Sequence, residues 1–344
     1  MQQVSALNDR LPCLHPIAFN PVAMKSMAAR IGWGIAILAA LVAATIVLVR
    51  TARPSLDALA AIDISWTLVV AASVVWYLAF GLLAANWASS LRWWRQQMRV
   101  EGALHVFFVS NLARYIPGAV WQLAGLAAMS TARGVSPLAA TAGVLIQQLV
   151  LLLTGAIIAI VAAPRLLGAW TDGFHPAVLV SAALVGMALL VLALPGLLRR
   201  VQPLLERKLG GRLTLPSLSK RDLAAYVART VVAWIVYGIA FWLLGRGMFG
   251  QSAPSAFDAA TAYIGASVLG IAAVFAPGGI IVREVAIAGA LAPAMGLERA
   301  TILAIGARIW MIALEIVGAL VMLGLARLRP ASAAPSRTDT GAAG

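Results

Sequence analysis

The stretch Leu138–Ala162 reads LAATAGVLIQQLVLLLTGAIIAIVA and contains no charged side chain in 25 residues. A helix rises 1.5 Å per residue, so a helix of this length crosses a hydrocarbon core of about 30 Å. Comparable apolar windows occur at about Ile31–Val49, Trp66–Ala88, Ala177–Leu198, Leu223–Gly245 and Ala300–Ala326. The chain is therefore predicted to be an all-α polytopic membrane protein with about six full transmembrane helices.

The composition of the 344-residue chain favours the same fold class. Apolar residues make up 62% of it, charged residues only 11%, and the mean hydropathy is +0.93. The excess of 26 Lys and Arg over 12 Asp and Glu is typical of nucleic-acid-binding proteins, but no long hydrophilic surface exists to carry such a site. We expect no nucleic-acid partner. The single cysteine, Cys13, excludes an intramolecular disulfide framework and a multi-cysteine metal site.

The charges in the loops predict the orientation. With the N-terminus inside, the inner loops hold 17 Lys and Arg, whereas the outer loops hold 5. The positive-inside rule therefore places both termini in the cytoplasm. Residues 1–30 are expected to form an N-terminal tail, with Met24 as an alternative start. Residues 31–326 are expected to form the transmembrane domain, and residues 327–344 a disordered tail rich in Ala, Ser and Pro.

Two further apolar regions, Leu104–Thr131 and Ala256–Pro293, are interrupted near the middle. The interruptions are Pro117-Gly118 in the first region and Pro277-Gly278-Gly279 in the second. Proline and glycine do not continue a helix smoothly. The charge pattern requires the first region to begin and end on the inner side and the second on the outer side. Both regions are therefore predicted to be re-entrant helical hairpins, although the first arm of the second is long enough to span.

The order of helix, hairpin and helix occurs twice, at about residues 66–162 and 223–326, and the second copy is upside down. Inverted repeats with broken helices are typical of secondary transporters, whose substrate site lies between the breaks. The chain is therefore predicted to contain an inverted repeat. The alternative is that short apolar segments with Pro-Gly recur by chance.

Five charged residues near the breaks or inside a span are the candidate site residues: Arg114, Arg283, Glu284, Arg308 and Glu315. A charge at membrane depth costs at least ~2.5–3.5 kcal/mol, so these groups are expected to be paired or to face a polar cavity. Arg308 and Glu315 are about 10 Å apart along their helix, and Arg283 and Glu284 point about 100° apart. Their partners should therefore lie on other elements.

The two hairpins together predict an anion site. The arm after each Pro-Gly break presents the N-terminus of a half-helix, with unsatisfied N–H groups, toward the middle of the membrane. With Arg114 and Arg283, these ends form a site for which the phosphate of a lipid is the natural ligand. The alternative is that each arginine pairs with a buried carboxylate and only holds its hairpin to the bundle. Arg229 lies about one turn into its helix and is expected to extend to the inner interface.

Signals of enzymatic chemistry are absent from the sequence. His15, His105 and His175 are isolated, and no cluster of carboxylates has the spacing of metal ligands. No glycine-rich nucleotide-binding loop follows a strand. We therefore expect no enzymatic activity, no metal and no cofactor.

Three motifs carry a resemblance to a known family. The segments Arg114-Tyr-Ile-Pro-Gly-Ala-Val-Trp121, Pro277-Gly-Gly-Ile-Ile-Val-Arg-Glu284 and Ala307-Arg308-Ile-Trp310 together resemble the flippase-like family typified by the transmembrane region of lysylphosphatidylglycerol synthase. The resemblance extends over roughly residues 66–326. It implies a bacterial inner-membrane protein that handles or translocates a lipid or lipid-linked headgroup. The soluble aminoacyl-transfer domain is not in this sequence, so synthase activity is not expected.

The chain departs from the family pattern in two places. Many members have Glu-Arg where this chain has Gln147-Gln148, and a glycine where this chain has Ile281. The first departure removes a charge relay, so proton coupling through the first repeat is not expected. The second departure places a bulky side chain on the backbone near the Pro-Gly break, where the family has only a hydrogen.

The leading hypothesis is a lipid translocase whose repeats enclose a site for a phospholipid or a polyprenyl-phosphate-linked lipid. The predicted binding residues are Arg114, Pro117, Gly118, Pro277, Gly278, Gly279, Arg283, Glu284, Arg308 and Glu315. A rival hypothesis is a non-transporting membrane subunit that scaffolds a lipid-modifying enzyme such as a glycosyltransferase. A third is a membrane-embedded enzyme with Glu284 or Glu315 as a base. The candidate protein partners are a lipid-modifying enzyme and a second copy of the chain.

Overall fold

The computed structural model describes residues 63–115, 121–166, 219–273 and 281–328, together with Gly279 and scattered helical positions between 178 and 203. The predicted span at Ile31–Val49, residues 1–30 and 329–344 of the predicted tails, Pro117-Gly118 and Pro277-Gly278 lie outside the described residues, whereas Arg327 and Leu328 of the predicted C-terminal tail belong to the last described helix. Across the described ranges, the regular secondary structure is entirely helical.

The longer helices are numbered here in chain order. They are α1 (Trp66–Ser90), α2 (Val100–Leu112), α3 (Trp121–Thr131), α4 (Pro137–Leu166), α5 (Lys220–Phe249), α6 (Ala256–Ala272), α7 (Val282–Met295) and α8 (Leu297–Leu328). Helix boundaries fall at caps and glycines. Ser255 Oγ accepts a hydrogen bond of 3.2 Å from Asp258 N at the start of α6. Gly250, with φ of +54°, ends α5, and Gly296, with φ of +82°, separates α7 from α8.

Four of the described helices, α1, α4, α5 and α8, are long and apolar enough to cross a membrane. They coincide with four of the six predicted windows, so the prediction of a polytopic helical membrane protein is confirmed. Helices α2, α3, α6 and α7 have 13, 11, 17 and 14 residues and are shorter than a typical span.

The shorter helices pack in two pairs, α2 with α3 and α6 with α7, and the first pair is antiparallel. In the first, Gln122 at the start of α3 donates to Asn111 near the end of α2, at 3.3 Å. At the other end of this pair, Gly102 lies beside the side chain of Arg133. In the second pair, Gly279, which precedes α7, lies so close to α6 that a Cβ on it would be 2.8 Å from Gly270 Cα. Gly279 also has φ of +66°, so this approach requires glycine.

Helices α1 and α5 form a central antiparallel pair. Ser65 N, at the N-terminus of α1, donates to Gly247 O near the end of α5 at 2.9 Å. At the opposite end, Asn86 donates to Tyr226 O and Thr230 Oγ1 at 3.2 and 3.1 Å. The two helices are therefore in contact along most of their length.

The other two long helices each run parallel to one member of this pair. Trp234 Nε1 of α5 donates to Thr154 Oγ1 of α4 at 3.1 Å, and Trp310 Nε1 of α8 donates to Ser73 Oγ of α1 at 2.9 Å. Each of these helices also packs antiparallel against a short arm. Helix α4 contacts α6, and α8 contacts α2. Aromatic side chains from α1 and α2 fill the space beside α8, with the rings of Phe80 and Phe108 4.3 Å apart between centroids.

Candidate functional site

The first predicted arginine is held by an acid from the last helix. Arg114 lies in the 3-10 turn Ala113–Tyr115 that follows α2, and its Nη2 donates to Glu315 Oε1 of α8. Tyr115 Oη donates to the other carboxylate oxygen at 2.7 Å. Glu315 is 1% exposed, so this pair is a buried link between elements 201 residues apart in sequence.

The second acid, Glu284, lies in the first turn of α7. Its Oε2 accepts a hydrogen bond of 2.6 Å from Ile281 N, and its Oε1 lies 3.7 Å from Arg308 Nε of α8. A carboxylate at this position also interacts favourably with the N-terminus of the helix. Glu284 therefore fastens the start of α7 to α8. As the spacing predicts, the acids and their arginines lie on different elements.

Arg283 has a different environment from the other two arginines. Its Nη2 lies 3.2 Å from the sulfur of Met311, and its guanidinium carbon lies 4.4 Å from the ring centroid of Tyr263 on α6. Within the described part of the chain, no carboxylate lies within ion-pair distance of it. A thioether is a weak acceptor and a ring offers only its π face. The charge of Arg283 is therefore held in place but not neutralised.

These residues form one group, which we call the core cluster: Arg114, Arg283, Glu284, Arg308 and Glu315. The guanidinium carbon of Arg308 lies 5.6 Å from the ring centroid of Tyr115, so Arg308 is next to the first pair as well as within ion-pair distance of Glu284. The positive charges of Arg283 and Arg114 both act on Arg308. Three arginines and two glutamates give the cluster a formal charge of +1.

Two neutral amides extend the cluster at its Arg114 end. Asn111 Oδ1 accepts hydrogen bonds of 3.3 Å from both Arg114 Nη1 and Gln122 Nε2. Asn111 Nδ2 and Arg114 Nε are buried and have no hydrogen-bond partner among the described residues. Gln147, by contrast, donates to Leu83 O on α1 and is not part of the cluster. The cluster therefore retains buried donors that an additional acceptor would satisfy.

The predicted backbone positions are only partly described. Gly279 packs against Gly270 and makes no polar contact with the cluster. Tyr115, Tyr263 and Met311 were not predicted as site residues. Tyr115 could have been predicted from its position, because it directly follows Arg114 and precedes the Pro-Gly break. Met311 and Tyr263 lie in apolar segments, where nothing in the sequence distinguishes them from packing residues.

The described residues contain no group of three or more His, Cys, Asp or Glu that could hold a metal ion. No curated protein and no solved structure matches the chain. The family model for the lysylphosphatidylglycerol synthase TM region matches residues 31–319, a range that contains the whole core cluster. The chain therefore belongs to the family of the lysylphosphatidylglycerol synthase transmembrane region, as the three motifs predicted.

Proposed function

We propose that this protein translocates a phosphate-bearing lipid headgroup across the membrane, and that the core cluster binds the phosphate. The observation that carries the proposal is Arg283, a guanidinium inside the bundle with no carboxylate partner in the described residues. The acyl or isoprenoid tail of the lipid stays in the bilayer, so no closed aqueous pore is needed. Family membership supports a role in lipid handling.

The charge of the cluster favours a singly charged phosphodiester. An uncompensated cation at membrane depth is expensive, and an arginine guanidinium binds phosphate oxygens through parallel hydrogen bonds. The formal charge of the cluster is +1, so a phosphodiester with one negative charge neutralises it. Both candidate lipids, a phospholipid and a polyprenyl-phosphate sugar, offer such a group.

The packing of the long helices supports the proposed inverted repeat. The antiparallel contact of α1 with α5 pairs the first helices of the two halves. The last helix of each half, α4 or α8, runs parallel to the first helix of the other half and antiparallel to the first hairpin arm of the other half. Exchanging the two halves leaves this list of contacts unchanged, which is what a two-fold axis in the membrane plane requires.

The directions of the helices also support the proposed topology. Helices α4 and α5 run parallel, so the chain that links them has to return along the bundle, and the window Ala177–Leu198 has the length for that crossing. The antiparallel arms α2 and α3 support the first re-entrant hairpin, and α6 and α7 the second. With the predicted loop charges, this topology gives a multi-pass protein of the bacterial inner membrane with cytoplasmic termini.

The test is a translocation assay with the purified full-length protein in liposomes that contain fluorescent phospholipids or polyprenyl-phosphate sugars. The key variant is Arg283→Gln, and its matched control is Arg246→Gln, at the end of α5, where the side chain donates to Gln251 outside the cluster. The wild type and Arg246→Gln are expected to translocate a singly charged phosphodiester, and Arg283→Gln to lose at least about tenfold in rate.

Two results would contradict the proposal in different ways. If Arg283→Gln inserts, folds and translocates at the wild-type rate, the core cluster is not the substrate site. If folded wild-type protein moves none of these lipids, the protein is not a translocase, and the scaffold for a lipid-modifying enzyme becomes the better hypothesis.

A further inference from the structure

A second arginine inside the bundle, Arg229, also has no carboxylate partner among the described residues. Arg229 of α5 donates from Nε to Asn86 Oδ1 at 2.9 Å and from Nη2 to Ser89 Oγ at 3.1 Å. In the ranges that the structure describes, no acid lies within ion-pair distance of it. Both acceptors are neutral groups of α1. The guanidinium is therefore fixed in orientation while its charge is left uncompensated.

The two hydrogen bonds to α1 fix the position of this guanidinium along the helix pair. Trp93 and Trp94 mark the end of the α1 span, and Ser89 and Asn86 lie about one and two helical turns before them. The side chain of Arg229 points across to these two residues on α1, deeper than the tryptophans. The extension of Arg229 toward the inner interface stays a prediction, and the structure adds that its guanidinium is bound by two residues of α1.

Among the described residues, the face of α5 beside Arg229 is exposed on the side that would meet lipid. The side chain is half-buried, and the neighbouring positions on α5, Ala225, Ala228 and Val232, are exposed. In a membrane, this small-residue face is in contact with acyl chains and leaves room beside the arginine. One turn away, the hydroxyl of Tyr226 is buried with no hydrogen-bond partner among the described residues.

We propose that Arg229, oriented by Asn86 and Ser89, binds the phosphate of an anionic phospholipid from the lipid-facing side of the α1–α5 contact. We call these three residues the seam site. The Nη1 group is not used by the bonds to α1, so it remains available for a phosphate oxygen. The lipid headgroup is favoured over free phosphate because the site lies beside the exposed apolar face of α5 and farther into the span of α1 than Trp93 and Trp94.

The seam site is separate from the core cluster, and its phosphate binding does not depend on the proposed function. Only its assignment to the inner leaflet depends on the proposed orientation, in which this end of α1 and α5 is cytoplasmic. If the proposed function and the proposed orientation are both correct, the seam site holds a lipid at the inner leaflet before the headgroup of that lipid reaches Arg283.

The experiment is native mass spectrometry of the full-length protein in detergent, titrated with dioleoylphosphatidylglycerol or with dioleoylphosphatidylcholine. The variants are Arg229→Gln, Arg229→Lys, Arg283→Gln, the double variant Arg229→Gln/Arg283→Gln, and the control Arg92→Gln. Arg92 is exposed at the same end of α1, so its removal lowers the local charge without touching the seam site.

We expect Arg229→Gln to weaken one phosphatidylglycerol-binding event by about tenfold or more while phosphatidylcholine binding changes little. Arg229→Lys keeps the charge but not the two bonds to α1, so it should fall between the wild type and Arg229→Gln. The control Arg92→Gln should match the wild type. Because the two sites are separate, the losses in Arg229→Gln and Arg283→Gln should add in the double variant.

Three outcomes would overturn the seam site. The first is unchanged phosphatidylglycerol binding in Arg229→Gln. The second is an equal loss in Arg92→Gln, which would indicate only a diffuse charge effect. The third is displacement of the bound lipid by millimolar inorganic phosphate, which would indicate a water-accessible anion site. Normal translocation in Arg283→Gln, together with weakened phosphatidylglycerol binding in Arg229→Gln, would refute the substrate site at the core cluster and leave the seam site intact, so the two proposals fail separately.

Discussion

Replacing Glu315 by glutamine tests the central pair of the core cluster with a change of one charge and almost no change in shape. The carboxylate accepts from Arg114 Nη2 on one oxygen and from Tyr115 Oη on the other. Glutamine keeps an acceptor oxygen but presents an NH2 group where the second acceptor was. The formal charge of the cluster rises from +1 to +2.

The expected loss of stability follows from the burial of the two partners. Removing one partner of a buried ion pair typically costs about 3–5 kcal/mol, because the other charge is left uncompensated. The Glu315 side chain is 2% exposed but that of Arg114 is 27% exposed, so part of the stranded charge can be solvated. We therefore expect a loss of about 2–4 kcal/mol.

The assay is thermal unfolding of the purified protein in detergent, with Glu298→Gln as the matched control. Glu298 is an exposed acid in the first turn of the same helix, α8, so this variant repeats the chemical change outside the cluster. Glu315→Gln is expected to melt roughly 5–10 °C below the wild type, and Glu298→Gln close to it. The double variant Arg114→Gln/Glu315→Gln should be more stable than the sum of the single changes predicts, because no stranded charge remains.

The same variant also tests the anion site. With Glu315→Gln, the stranded Arg114 can take a lipid phosphate in place of the carboxylate, so phosphatidylglycerol should restore more of the melting temperature than phosphatidylcholine does. The reasoning is refuted if Glu315→Gln melts within about a degree of Glu298→Gln, or if the double variant loses the full sum of the two single losses.

Three further predictions follow from the backbone and the loop charges. Ile281 has φ of +74° and ψ of −52°, a strained conformation for a β-branched residue, so Ile281→Gly should stabilise the protein by about 1 kcal/mol; a lower melting temperature contradicts this. Gly279→Ala should lower the free energy of unfolding by at least ~2 kcal/mol, because the added Cβ overlaps α6. In the same melting experiment, Gly289→Ala should leave the melting temperature unchanged, because its Cβ meets nothing within 4 Å. Tags at Gly210 and Thr171 should be accessible from the cytoplasm and from the outside, respectively, and labelling of both from one side would contradict the inverted repeat.

The long helices were predictable because the signal for them is local. The windows at Trp66–Ala88, Leu138–Ala162, Leu223–Gly245 and Ala300–Ala326 each recur as a helix within a few residues of the predicted bounds. A membrane span has to satisfy its own backbone hydrogen bonds and bury a fixed length of apolar side chains, so its neighbours hardly influence the pattern. Several of the extra residues at the ends are polar or charged, such as Ser89, Ser90, Arg221 and Asp222, and they lower the mean hydropathy of a window that includes them.

The pairing of the charges was predictable only in part. The spacing of Arg308 and Glu315 rules out a bond within one helix, and it correctly requires partners on other elements. The spacing does not identify those partners, because Arg114 and Glu315 are 201 residues apart and their contact depends on the packing of α2 against α8. The sequence also treats Arg283 and Arg308 alike, although only the second reaches a carboxylate among the described residues.

The neighbouring positions of Arg283 and Glu284 show why the cluster keeps a net charge. Consecutive residues of a helix point about 100° apart, so Glu284 faces Arg308 of α8, whereas Arg283 lies between the ring of Tyr263 on α6 and the sulfur of Met311 on α8. One carboxylate oxygen of Glu284 thereby faces Arg308, and the other accepts a hydrogen bond from the backbone N–H of Ile281 at the start of its own helix. With Glu315 bound to Arg114, no acid of the cluster is left for Arg283.

The distribution of these charges also bears on how the proposed halves would move. Both acids and two of the arginines belong to the second half, whereas α4, the counterpart of α8, has Gln147 and Gln148 but no charge between Pro137 and Ala162. Within the cluster, the pair of Arg114 and Glu315 is thus the charged bond that joins the two halves. A rocking movement that separated α2 from α8 would break this pair and strand both charges. Under the proposed function, the phosphate of the lipid would take the place of Glu315 at Arg114, so the transported group would lower the part of the barrier that comes from the stranded arginine.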